Sequence, residues 1–271
     1  EQPIPLDISS QLQGVSLELP VPLAKSADES QALDIRFYFA PEFERLSATL
    51  AGKPDISPSP SLDLEFDLRF DQAAFTAGQI SYDRPLVEPE AGILRLSSYL
   101  STTELELWQP LIALFERPEE KGEVEAEQQS SWKTIFDLRF DQLEHLTYQL
   151  KDIAAVATLS GQGVDVDLRS DLVDGQLQIP LGGSTVPKIN LSRLSLPKAL
   201  LEEKVTGSTI DPRQFIALDI AIDQLIIGEQ NWGSLAFELR PEVSGAAFNR
   251  IEGNLFGLKP GALENQPATE F

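Results

Sequence analysis

DPRQFIALDIAIDQLIIGEQNWGSLAFELRPEVSGAAFNRIEGNLFGLK, Asp211 to Lys259, is the stretch from which the fold is read. Leu218, Ile220 and Ile222 alternate with Asp219, Ala221 and Asp223. After Gly228-Glu-Gln-Asn-Trp-Gly233, the apolar Leu235, Phe237 and Leu239 alternate with Ala236, Glu238 and Arg240. A period of two puts the apolar side chains on one face of a strand and leaves the acidic ones on the other. With turn residues at Gly228, Gly233, Pro241 and Gly245, the stretch predicts an antiparallel meander with one wet face and one face that must cover something apolar.

The same pattern extends towards the N-terminus. Leu62, Leu64, Phe66, Leu68 and Phe70 alternate without a fault against Asp63, Glu65, Asp67, Arg69 and Asp71. The ending of that strand, FDLRFDQ from Phe66 to Gln72, returns as FDLRFDQ from Phe136 to Gln142, and Leu218 to Gln224 is a looser third version. A repeated building unit follows. After Asp-Gln the apolar parity flips, to Leu143 in the second copy and to Leu225 and Ile227 in the third, which marks a β-bulge or a strand crossing between sheets. Leu33, Ile35, Phe37 and Phe39 predict another strand, as do Ala91 to Leu107 and the run Val164, Val166, Leu168. Leu12 to Leu23 reads as an edge strand because Pro20 and Pro22 lack ladder donors. Asp174-Gly175 reads as a two-residue hairpin turn. Gly52 to Ser61 and Pro180 to Pro187 read as connecting loops.

Trp108 to Phe115 is the best helix candidate, with Pro110 in its first turn, and Pro197 to Lys204 adds one further helical turn or two. The acidic stretch 119–131 has no apolar period and reads as a solvated linker. The predicted organisation is a β-rich unit over 1–118, that linker, a second β-rich meander over 132–260 and a loose tail over 261–271. The fold class is mainly β: antiparallel meander sheets curled into an elongated, taco-like groove or closed as a sandwich, with one or two short helices.

Composition removes several functions. Asp and Glu number 43 against 21 Lys and Arg, a formal net charge of -22, which repels nucleic acid and anionic membrane surfaces. There is no cysteine, hence no disulfide framework, zinc-thiolate site or Cys nucleophile. No apolar run reaches the roughly 20 residues of a spanning helix. With neither a signal peptide nor an initiator methionine at Glu1, the chain is expected to be a piece of a longer protein. The single histidine, His145, has no nucleophile elbow to serve and reads as an exposed strand residue. Asp63, Glu65, Asp67, Asp137, Asp165, Asp167 and Asp219 share the solvated parity of their strands, so a charged outer face accounts for them better than a catalytic carboxylate pair. Asp165 to Asp171 lacks the glycine and final glutamate of a calcium loop, and Gly161-Gln-Gly163 lacks a phosphate-loop lysine. No catalytic residue, metal ligand or cofactor is predicted.

Several separated stretches resemble one family. GVSLELPVPL (Gly14–Leu23), LELWQPLI (Leu105–Ile112), LDIAIDQL (Leu218–Leu225), WGSLAFELRP (Trp232–Pro241) and GNLFG (Gly253–Gly257) are similar to the periplasmic part of YhdP-type proteins, AsmA-like envelope proteins of Gram-negative bacteria. The resemblance implies an inner-membrane-anchored parent whose periplasmic β-sheet forms an apolar groove along which phospholipid acyl chains pass towards the outer membrane. It brings no catalytic motif. The partners so implied are phospholipid and the rest of the parent chain, and the location is the periplasm. Leu64, Phe66, Leu68, Phe70, Phe136, Leu138, Phe140, Val164, Val166, Leu168, Leu218, Ile220, Ile222, Leu235, Phe237 and Leu239 are then the groove candidates. The alternative is a structural or protein-binding β-module of the envelope, with the same faces closed into a dry core.

Overall fold

The computed structural model describes residues 4–18, 23–39, 44–52, 60–69, 74–104, 132–145, 148–181, 185–198, 216–242 and 245–256. These residues form β1 (Ile4–Ser10), β2 (Leu33–Phe39), β3 (Glu44–Leu50), β4 (Leu62–Arg69), β5 (Ala74–Tyr82), β6 (Ile93–Glu104) and β7 (Lys133–His145). They continue as β8 (Tyr148–Ser160), β9 (Gly163–Arg169), β10 (Val173–Pro180), β11 (Lys188–Leu196), β12 (Leu218–Ile227), β13 (Gln230–Glu242) and β14 (Gly245–Leu255). Strand order in the sheet is chain order, β1 to β14. The mainly β prediction is correct, and the strands belong to one sheet instead of the two of a sandwich. Trp108 to Phe115, the linker 119–131 and residues 199–204 lie outside the described residues.

The chain divides into two compact units, Glu1–Gln149 with Thr158–Gly161, and Leu150–Ala157 with Gln162–Phe271. In the first, β1 to β5 are a true antiparallel meander. β5 and β6 then pair in parallel, and so do β6 and β7. β7, predicted to open a second unit, therefore belongs beside β6. In the second unit β9 to β11 are antiparallel, β11 and β12 are parallel, and β12 to β14 are antiparallel again. The prediction of an all-antiparallel meander fails at those three pairs for a physical reason. Parallel neighbours need a crossover of about ten residues or more, and the links 83–92, 105–132 and 197–217 supply them.

Two local predictions are corrected. Within Leu12–Leu23, the described residues contain no strand, only one bridge between Leu17 and Lys25. Lys25 is 3% exposed. Its Nζ donates to the carbonyls of Val15 at 2.7 Å and Ser26 at 2.9 Å, so this segment wraps a buried ammonium and does not extend along the sheet. The real first strand is Ile4–Ser10, where Ile4, Leu6 and Ile8 alternate with Pro5, Asp7 and Ser9. Asp174-Gly175 is not a turn but part of β10. The chain reverses at Ser170–Val173 instead, where Ser170 N donates to Val173 O at 2.7 Å and the Ser170 hydroxyl accepts from the amides of Leu172 and Val173. Gly175 is needed because a Cβ there would meet Asn190 O at 2.3 Å.

The bulge predicted after Asp223-Gln224 is present. From Ile222 to Leu225 β12 advances three residues while β13 advances only from Leu235 to Gly233. β11 keeps step with β12, since Leu191 pairs with Ile222 and Leu194 with Leu225, and takes up its own extra residue against β10 beside Gly175. Gly233 sits at φ +104°, and a Cβ there would lie 1.9 Å from Asn254 O. β7, by contrast, runs through Asp141 and Gln142 in unbroken register with β6.

Candidate functional site

In the first unit, strand registry lines up apolar residues in rows across the sheet. One row is Leu6, Phe37, Leu46, Phe66, Gly78 and Leu94; the next is Ile8, Ile35, Ala48, Leu64, Ile80, Leu96 and Phe136. A third brings Leu33, Leu50, Leu62 and Tyr82 into line and ends at Leu138, while Leu100 pairs with Phe140. Few of these side chains are fully covered. Leu50 and Leu100 are buried, but Leu6 is 50%, Ile8 47% and Phe75 55% exposed, and most of the rest are half-buried. A sheet face closed against a second layer would bury such residues almost completely.

The opposite face is polar and tied together by charge. Arg36 bonds Asp7. Arg45 Nε donates to Asp67 Oδ1 at 2.7 Å, and that bond holds the guanidinium well above its usual range. Thr49 Oγ1 donates to Asp63 at 2.7 Å, and the Tyr99 hydroxyl donates to Asp141 Oδ2 at 2.7 Å. Asp63 and Asp67, read from the sequence as part of a solvated face, are thus engaged in cross-strand pairs, which stabilise a sheet by a few tenths to 1 kcal/mol each.

Over this polar face runs the β5–β6 crossover, residues 83–92. Its Val87 amide donates to Gln79 Oε1 at 3.0 Å, and Gln79 Nε2 donates back to the Val87 carbonyl. The Ser81 hydroxyl donates to Arg84 O at 2.7 Å. Arg84 reaches Asp137 Oδ2 on β7 at 2.7 Å, and Glu88 meets Arg45 of β3 at 3.1 Å. Gln79 and Ser81, on the polar parity of β5, are consequently buried, at 3% and 2% exposure. Among the described residues, this connection covers the charged side of the sheet and not the apolar side.

The second unit repeats the layout. Val166, Leu177, Ile189, Ile220 and Phe237 form one row, and Leu168, Gly175, Leu191, Ile222, Leu235 and Gly253 another. Leu218 pairs with Leu239, which pairs with Phe248, and the Phe237 and Phe248 rings meet at 5.5 Å. Ile222, Leu225 and Leu239 are buried, whereas Phe248 is 59% exposed. Arg240 joins Asp219 at 2.7 Å and Glu238 at 3.0 Å across the polar face.

The sequence-derived residues therefore fall on two apolar faces, one in each unit. Leu64, Phe66, Phe136, Leu138 and Phe140 share the first, with Leu68 in line on β4; Val164, Val166, Leu168, Leu218, Ile220, Ile222, Leu235, Phe237 and Leu239 share the second. Phe70 lies outside the described residues. Sequence reasoning passed over the contributions of β1, β3, β5 and β11. Ile4-Pro-Leu-Asp-Ile8 and Ile189-Asn-Leu191 carried the same period of two and would have revealed β1 and β11. His145 lies in β7. Among the described residues no group of three or more His, Cys, Asp or Glu is placed to hold a metal ion, and no helix is long and apolar enough to cross a membrane.

A family described as YhdP protein matches residues 2–254, nearly the whole chain. No curated protein and no solved structure matches. A match of that extent places the protein: it belongs to the YhdP family of AsmA-like envelope proteins.

Proposed function

We propose that the chain is a periplasmic segment that shields phospholipid acyl chains on its apolar sheet faces as they pass between inner and outer membranes, and that it does no covalent chemistry on them. The observation that carries this reading is the placement of the 83–92 crossover. Sheet faces need cover in proportion to their apolar area, and among the described residues the crossover lies on the ion-paired side while Leu6, Ile8 and Phe75 stay half open to solvent. An occupant that matches rows of Leu, Ile and Phe offering no hydrogen bond is itself an alkyl chain, and each methylene withdrawn from water contributes about 0.8 kcal/mol. The acidic outer faces keep such a segment soluble and off anionic leaflets.

The test is native mass spectrometry with lipid extraction on the chain purified from bacterial cells without harsh detergent. One or more phospholipids per chain is the expected result. A lipid-free mass after that treatment sinks the proposal and favours a β-module that meets a protein partner through these faces.

A further inference from the structure

Gly78 sits in the middle of β5, in the row where β4 contributes Phe66 and β6 contributes Leu94. A Cβ at this position would lie 2.5 and 2.7 Å from Cδ1 and Cε1 of Phe66, and 3.3 Å from Cδ1 of Leu94. Carbon atoms do not approach so closely, so the Phe66 ring already fills the volume a side chain at position 78 would take. The three nearest obstacles are all side-chain atoms, and Gly78 is not among the glycines at positive φ. Backbone conformation therefore does not demand glycine here; the ring does. Phe66 lies down across β5, with Phe75 against it at 5.4 Å between centroids and 61° between planes.

Side chains on a strand ordinarily stand roughly perpendicular to the sheet. A phenylalanine standing up in this row would project into the layer an apolar ligand must occupy. We infer that Gly78 sets the clearance of the first unit's apolar face: by leaving room for Phe66 to fold down onto the sheet, it keeps the space above open to an acyl chain. This rests on the acyl-chain reading and adds to it the residue pair that fixes how much can lie on the face.

The experiment is phospholipid uptake by the purified chain from vesicles of phosphatidylethanolamine and phosphatidylglycerol, read as lipid phosphorus per mole of protein. Gly78→Val is expected to lower uptake about tenfold, the scale set by overpacking one side chain, with an unchanged circular dichroism spectrum. Combining it with Phe66→Ala, which removes the ring that was lifted, should restore uptake to the wild-type level. A merely structural glycine would show its loss in the urea-unfolding midpoint of Gly78→Val and not in uptake per mole of folded protein. Equal uptake by Gly78→Val and wild type, or no recovery in the double variant, overturns the inference while leaving the acyl-chain reading intact. Wild-type chain that takes up no lipid overturns that reading itself. If Gly78→Val does not fold, Gly78→Ala, which adds only the clashing Cβ, carries the same comparison.

Discussion

The two units keep an apolar face continuous across their strands by different means. In the first, register across the described pairs is nearly unbroken, with one shift between Asp67 and Leu68, and of its two parallel crossovers the one between β5 and β6 is strapped over the polar side by Arg84, Gln79 and Glu88. In the second, continuity is kept by slipping: β11 and β12 each take an extra residue in phase, and Gly175 and Gly233 let neighbouring backbones close around the slip. The lesson is that one apolar face can be carried either by fixing what lies behind the sheet or by bending the sheet itself.

The sharpest way to break this comparison is at Gly233. Gly233→Ala places a Cβ against the Asn254 carbonyl at a φ that L-residues rarely adopt, and should cost about 3 kcal/mol in urea unfolding. A loss below about 1 kcal/mol would mean that the slip in β12 and β13 does not depend on that glycine. Arg84→Ala tests the first unit's device. It leaves Asp137 without its strongest partner beneath the crossover, both side chains being about a fifth exposed, and should cost about 2 kcal/mol. Protease cleavage within 83–92 should rise with it; an unchanged cleavage rate would show that the crossover stays down without the ion pair.

Leu138→Asp and Ile220→Asp compare the two faces directly. If each is an open surface, either charge should leave the fold within about 1 kcal/mol of wild type and cut bound phospholipid in the extraction assay. If instead one of them unfolds the chain, that face is a closed core and the two units differ in kind. The smallest effect is expected at Tyr99. Its hydroxyl donates to Asp141, which raises its pKa above the usual 10.0. The bond therefore contributes fully below pH 10 and is lost as pH climbs through the raised value. Tyr99→Phe should remove that alkaline component of stability and change little at pH 7.

Where the sequence spoke clearly, it did so through alternation. Leu62 to Arg69, Leu33 to Phe39 and the stretch from Leu218 to Arg240 all became strands, and most of the residues proposed for the apolar faces came from them. Strands such as Glu44–Leu50 and Ala74–Tyr82 were not legible because Ala, Ser, Thr and Gly dilute the contrast between faces. In β5 the polar Gln79 and Ser81 are buried, so even the polar parity carried the wrong solvent signal. Asp174-Gly175 misled because a glycine that permits close backbone approach looks, in one dimension, like a glycine that turns the chain. Parallel pairing could not be read at all, since it is decided by where long links return and not by any strand's own residues.

The order of the strands also bears on how the chain comes to be folded. Where a strand pairs with its immediate predecessor across a short turn, as in β9–β10 and β12–β13, the contact closes a small loop and forms quickly. β6 and β7 are different, because Glu104 must await Lys133 before their parallel ladder can start. Synthesised from the N-terminus, the chain meets that longest closure with β1 to β6 already made, so a ready edge of β6 waits for β7. Slow refolding, if any is seen, should trace to this one step.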